Sequence, residues 1–292
     1  MKKISGKRAL LFFYAFDFIL ALILVLSFLP LNGRNRAETM ESALLNPARA
    51  DDISRIVISR KGQGSVTIFR EPNVRFWTGS DSRSDDRLLW PADYQTVENL
   101  VSVLTSTATF YVKARKLSAW DNLGVDEKNA VCVQAYDSDG AVLAWLYFGF
   151  DDPLTQRLAF RTWSAQTVYE TDLRIKSFLS TDESFWADPF IFPQCVTEYS
   201  RAREEGILRR GRLAAISPRE GLEPGRIVRT DFENGAGASL KIYSKDDEFV
   251  VIPSFSAGPA FPAEEKDALE KLNYRYTISA WTLERLLGER DD

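Results

Sequence analysis

The sequence predicts an α+β protein: antiparallel β-sheet units, each with a packed helix, arranged as a full domain plus a shortened repeat behind one N-terminal transmembrane helix. Three observations lead there. A 23-residue apolar run lies close to the N-terminus. Short alternating runs joined by glycine-bearing turns follow it. The marks of one strand–strand–helix unit then recur, in the same order, near the C-terminus.

Composition narrows the function. The 292 residues are 45% apolar and 12% aromatic, enough for a full hydrophobic core. Lys and Arg number 37 against 41 Asp and Glu, a formal charge of −4, and no long stretch mixes basic with aromatic residues, which argues against nucleic acid as a partner. The chain has no histidine, which removes the commonest general base and the commonest catalytic-metal ligand together. Cys132 and Cys195 are too few for a structural zinc site or a disulfide scaffold. They can pair in an oxidising compartment, although Cys132 sits in an apolar strand-like run where a free buried Cys is the ordinary occupant.

Ala9 to Leu31 is apolar except at Asp17, Ser27 and Pro30, and it is long enough to span a bilayer core of about 30 Å. Its 16 Leu, Ile, Val and Phe residues contribute roughly −5 to −10 kcal/mol to insertion, against about +3 kcal/mol for Asp17. A cleaved signal peptide has a shorter apolar region, about 7 to 15 residues, and a small-x-small site. Lys2, Lys3, Lys7 and Arg8 precede the run, which puts the N-terminus in the cytoplasm and the globular part outside an inner membrane. Residues 1–32 are then cytoplasmic N-terminus and anchor. Asp17 is either a carboxylate that the strong flanking run tolerates or a contact with a polar group of another membrane subunit.

Residues 33–50 read as a polar tether and 51–200 as the full domain. Ile53 to Ser59 and Val66 to Phe69 are strands joined by Lys61-Gly62-Gln63-Gly64, with Phe76-Trp77 a third short strand and Thr78 to Arg87 a polar loop. Trp90-Pro91-Ala92-Asp93 opens a helix to about Thr107, in which Val97, Leu100, Val101 and Leu104 fall on one face. Val131 to Tyr136, Ala141 to Phe148, Leu158 to Trp163 and Thr167 to Tyr169 continue as a meander. Helical segments near Asp172 to Leu179 and Asp182 to Trp186 close this part.

Residues 201–292 read as a degenerate second copy. Arg55-Ile56-Val57 recurs as Arg226-Ile227-Val228, and Ser65 to Phe69 as Ser239 to Tyr243. Trp90-Pro91-Ala92-Asp93 is matched by Phe261-Pro262-Ala263-Glu264, and Ser118-Ala119-Trp120 by Ser279-Ala280-Trp281.

These marks, together with Asn122-Leu123-Gly124-Val125-Asp126, Phe148-Gly149 and Thr167-Val168-Tyr169-Glu170, resemble the DUF4340 family of bacterial proteins, named for a domain of undefined function. The match covers about Asn46 to Pro193, and their order and spacing carry it. The resemblance implies a single-anchor protein with one or two such domains, often encoded beside ABC transporter components of the gliding-motility type. It implies no catalytic residues.

Candidate chemistry is sparse. Asp137-Ser138-Asp139-Gly140 starts like a calcium loop, but Phe148 stands where the bidentate Glu belongs, and a hairpin turn accounts for it. The pairs Asp51-Asp52, Asp85-Asp86, Asp151-Asp152 and Asp246-Asp247 lie in turn-rich contexts and read as solvated loops. Gly235-Ala236-Gly237 lacks the rest of a dinucleotide fingerprint. Arg201, Arg203, Arg209, Arg210 and Arg212 form the notable basic cluster, a candidate contact for a partner or an anionic head group, or else a solvated linker. The seven tryptophans invite carbohydrate stacking, yet most stand where a core or helix entrance uses them.

The expectation is therefore a non-enzymatic, membrane-anchored accessory or interaction subunit without cofactor or metal, its partner an ABC transporter permease or related envelope subunit. A glycan- or lipid-binding module is the alternative, marked by exposed aromatics on one concave face. A hydrolase using carboxylates or a Ser-Lys pair comes third.

Overall fold

Alternation of buried and half-exposed residues sets the strands. In a computed structural model of the chain, residues 19–20, 38–81, 88–197, 212–213, 225–245 and 248–287 are described. The chain divides into two compact units, Met1–Thr39 and Met40–Asp292. In the first, Ile19 and Leu20 are helical and about half exposed.

The strands are, in chain order, β1 (Thr39–Ser42), β2 (Arg55–Arg60), β3 (Gly64–Phe69), β4 (Thr78–Asp81), β5 (Leu89–Pro91), β6 (Ala108–Ala114), β7 (Val131–Tyr136), β8 (Val142–Asp151), β9 (Leu158–Thr162) and β10 (Val168–Thr171). These ten form one sheet in the order β1-β6-β10-β9-β8-β7-β2-β3-β4-β5. A second, five-stranded sheet holds β11 (Arg212–Leu213), β12 (Arg226–Asp231), β13 (Gly237–Lys245), β14 (Glu248–Ser256) and β15 (Tyr276–Ser279), ordered β11-β15-β14-β13-β12. Among the described residues six α-helices accompany them: α1 (Tyr94–Thr105), α2 (Trp120–Leu123), α3 (Glu183–Trp186), α4 (Gln194–Thr197), α5 (Ala263–Glu270) and α6 (Ala280–Leu286).

The β2–β3 hairpin forms as its pattern predicts, with Ile56 facing Ile68 and Ile58 facing Val66. Helix α1 buries Val97, Leu100, Val101 and Leu104. Its entrance differs from expectation. Trp90 and Pro91 belong to strand β5, and Asp93 is the N-cap, accepting from the N–H groups of Gln95 at 3.0 Å and Thr96 at 3.4 Å. Trp90 lies across Gly79 on β4, where any Cβ would meet its ring at 2.0 Å.

The α+β expectation is corrected. Among the described residues the protein is mostly antiparallel sheet, with one 12-residue helix and five shorter ones. Segments read as tether and polar loop pair as strands: Thr39–Ser42 joins β6 at one edge, and Thr78–Asp81 pairs with Val66–Phe69. Pairing to a neighbour overrides a polar composition that looks loop-like in isolation. The expected transmembrane helix is likewise not supported. Among the described residues no helix is long and apolar enough to cross a membrane; α1 at about 1.5 Å per residue reaches about 18 Å, against about 30 Å for a bilayer core. Ala9 to Leu31 lies, apart from Ile19 and Leu20, outside the described residues.

One hydrophobic core runs through both sheets, from Leu44 to Ile278. Phe192 meets Phe232 edge to face with centroids 5.5 Å apart. The Asn234 side-chain amide donates to the Val196 carbonyl at 2.8 Å, and Leu89 and Asn273 exchange hydrogen bonds. Strands β12, β13 and β14 form a meander followed by α5, with β15 then pairing beside β14. Strands β2 to β5 also form a meander followed by a helix, but the next strand, β6, lies at the far end of its sheet.

Candidate functional site

The ten-stranded sheet has one face in the core and one face outside it. Cross-strand register sets Ser59, Cys132, Tyr147 and Arg161 in one row of the outer face, and Val57, Gln134 and Trp145 in the next. Their alternates Ile58, Val133 and Leu146 are buried in the core.

At the β9 end this outer face is capped by the segment around α2. Val125, Ala159 and Val168 form a small hydrophobic cluster there, packed by Trp120 and Leu123. The cap sits directly on strand β8, because Gly149 leaves room for it: a Cβ at that position would lie 2.1 Å from the Leu123 carbonyl oxygen. Gly124, at φ 67°, ends α2 in the left-handed conformation. Two of the marks behind the family resemblance, Leu123-Gly124-Val125 and Phe148-Gly149, are thus the two sides of one contact.

Arg161 lies beneath the cap at 2% exposure. Its guanidinium carbon is 3.8 Å from the Trp120 ring centroid and 4.0 Å from that of Tyr147. Nε donates to the Val125 carbonyl at 2.8 Å, and Nη1 to the carbonyls of Thr162 and Trp163 at 3.2 and 3.3 Å. Burial lowers its pKa, while two ring faces and three carbonyls hold its charge.

Beyond the cap the face opens. Trp163 is 58% exposed and stacks on Trp145, with centroids 5.2 Å apart and planes 23° apart. Its N–H donates to the Trp145 carbonyl at 3.0 Å. The Cys132 thiol, on the adjacent row, has its pKa raised by burial. Farther along, a groove of about 980 Å³ is floored by Arg55, Val57, Thr67 and Phe69, with loops at residues 51–52, 71–74 and 137–140 around it. Three of the carboxylates at its rim, Asp52, Asp137 and Glu71, are engaged. Asp52 and Asp137 share Arg49, and Glu71 pairs with Lys271 at 3.2 Å. Asp137 also accepts from the N–H groups of Asp139 and Ala141, so Asp137-Ser138-Asp139-Gly140 is a turn, with Gly140 at φ 82°.

A second concavity of about 630 Å³ lies between the sheets, lined in part by Arg75, Tyr94, Asp188 and Glu265. Its charges are also engaged. Arg75 pairs with buried Glu265, and Asp188 accepts from the N–H groups of Phe190 and Gln194 at 3.0 and 2.8 Å. Among the described residues no group of three or more acidic or cysteine side chains can hold a metal ion.

Of the residues the sequence singled out, Asp17, Arg201, Arg203, Arg209 and Arg210 lie outside the described residues, as do Asp85-Asp86 and Asp246-Asp247. Arg212 is in β11, paired with Thr277. Asp151 and Asp152 bind Lys176 and Lys113 respectively. No disulfide joins Cys132 and Cys195. Trp77, Trp90 and Trp186 are core, whereas Trp163 and Trp281 are 58% and 61% exposed. The sequence reading missed the outer face. Its signal was the parity of β8: Ala144, Leu146 and Phe148 point inward, which turns Trp145 outward.

Compared with protein-family models, with curated proteins and with solved structures, the chain matches none.

Proposed function

We propose that this protein works by contact and not by catalysis, as a non-enzymatic binding module whose working surface is the outer face of the ten-stranded sheet. The stacked Trp145–Trp163 pair carries the reading. It puts a large indole in solvent on a face that is otherwise half exposed, beside an open groove, where apolar exposure of this kind marks a binding surface. Hydroxyl-radical footprinting tests it, with the full chain mixed in turn with the polysaccharide, lipid and protein fractions of a cell extract. Reduced labelling of Trp163 by one fraction is the expected outcome. Binding that leaves Trp163 and the groove fully labelled sinks the site, and turnover of an ester, phosphoester, peptide or glycoside by the purified chain sinks the non-enzymatic reading.

A second reading is an accessory subunit that docks a protein, with an ABC transporter permease or related envelope subunit as the class the DUF4340 resemblance implies. Strand β12 favours it. Among the described residues no strand pairs its outer side, and Ile227 on it is 46% exposed, so a partner strand can extend the sheet there. Footprinting protection at Ile227, with Trp163 unprotected, would select this reading.

A further inference from the structure

We infer that the free ring face of Trp163 is a glycan-stacking platform, and that its ligand is an uncharged chain of pyranose units laid along the outer face from Trp163 toward Val57. This rests on the binding reading above and names its ligand. One face of the Trp163 ring is covered by Trp145 and the residue is still 58% exposed, so the other face looks into solvent. A ring already stacked and tied through its main chain loses little freedom when a ligand arrives. A pyranose chair with equatorial hydroxyls has a face of C–H bonds that packs flat on an indole, while its edges need neutral hydrogen-bonding groups.

Such groups surround the stack. Gln134 is the cross-strand neighbour of Trp145, Ser59 stands in the adjoining row, and exposed Ser164 and Gln166 follow Trp163 in its turn. That turn is pinned from the cap side, where Trp120 Nε1 donates to the Gln166 carbonyl at 3.0 Å. The cation in the adjoining row, Arg161, is buried and spent on three carbonyls and two rings, so it offers no handle to an acidic ligand. Strand register carries the row onward through Val57 to Thr67 at the edge of the groove, where the next outward residue of β2, Arg55, lies over the Tyr136 ring at 4.3 Å. A flat aromatic ringed by amides and hydroxyls therefore fits a neutral sugar chain better than an apolar protein surface or an acidic polymer.

The test is affinity electrophoresis of the full chain in gels containing hydroxyethyl cellulose, a soluble β-1,3-glucan, a galactomannan or soluble starch, with alginate as the acidic comparison. Retardation by at least one neutral polysaccharide is expected, with an affinity loss of about tenfold or more in Trp163→Ala and partial retention in Trp163→Tyr. Trp281→Ala removes a tryptophan as exposed, at 61%, from the helix after β15 and should change nothing. Retardation by alginate alone, or retardation that Trp163→Ala and Trp163→Tyr leave untouched, overturns the proposal. If no neutral polysaccharide binds while a protein fraction shields Trp163 in footprinting, the glycan is wrong and the contact reading stands; if nothing binds and Trp163 stays labelled, both fall.

Discussion

Removing Arg75 measures how firmly the two sheets are joined. Glu265, on α5 beside the five-stranded sheet, is 1% exposed and accepts three hydrogen bonds from Arg75: from the main-chain N–H at 2.9 Å, from Nε at 2.7 Å and from Nη2 at 2.9 Å. The two ends of the pair differ in setting, since the arginine side chain is 66% exposed and the glutamate side chain 2%. A wholly exposed pair is worth about 0 to 1 kcal/mol, and stripping the partner from a buried charge costs about 3 to 5 kcal/mol. In Arg75→Ala the carboxylate stays buried but keeps the main-chain N–H, so the expected loss is about 2 kcal/mol, or a Tm decrease of about 4 to 8 °C. Glu265→Leu combined with Arg75→Ala should cost less than the two single losses together, because no charge is then left in the interior.

The assay is urea unfolding followed by tryptophan fluorescence across this double-mutant cycle, at neutral and acid pH. Burial raises the Glu265 pKa, but the hydrogen bonds and charge of Arg75 more than offset it, leaving it below the ordinary 4.5. A depressed folded-state pKa gives a stabilisation that is complete above the unfolded-state value and is lost as the pH falls through the folded-state value. The gap between the wild type and Arg75→Ala should therefore close on acidification below about pH 4. A coupling energy under about 0.5 kcal/mol, or a gap that widens in acid, would refute the reasoning.

Gly149→Ala should cost about 2 to 4 kcal/mol, because the new Cβ meets the Leu123 carbonyl at 2.1 Å and neither backbone can yield; an unchanged denaturation midpoint would show that the cap does not rest on β8. Tyr274→Phe should stabilise by about 1 kcal/mol, since the Tyr274 hydroxyl is buried without a hydrogen-bond partner among the described residues; a clear loss of stability in urea would contradict this. Arg161→Lys should cost about 2 to 3 kcal/mol, as an ammonium cannot reproduce the planar fork between Trp120 and Tyr147, and near-ultraviolet circular dichroism of the tryptophans should change with it.

Where a strand alternates and its turn carries glycine, the sequence was legible: β2, β3, β7 and β8 lie within a few residues of their expected places. The helix face of α1 was legible for the same reason, since its four apolar positions repeat at helical spacing. Strands that owe their existence to a neighbour were not. Thr78–Asp81 is polar and carries a glycine, and it is a strand because Trp90 fills the space over Gly79 while β3 pairs its backbone. The sheets themselves, ten strands and five around a shared core, depend on which edges meet, and no local pattern records that.

The aromatic face was hidden by a different cause, and Arg161 shows it. The tryptophan positions alone suit a core; the parity of β8 turns Trp145 away from that core, but nothing near Trp145 or Trp163 in sequence says whether an outward ring is covered. Their exposure follows from where the cap stops. The cap is held by a buried guanidinium, at a place where hydrocarbon of similar volume would avoid the cost of desolvating a charge. Hydrocarbon cannot, however, donate at once to the carbonyl of Val125 in the cap and to those of Thr162 and Trp163 at the start of the turn. Those bonds join the cap to the turn in one register, and Trp120 adds a fourth link through the Gln166 carbonyl. The cap therefore covers Tyr147 and ends short of Trp163, which remains 58% exposed. An arginine and a glycine, Arg161 and Gly149, decide which aromatic rings are core and which are surface.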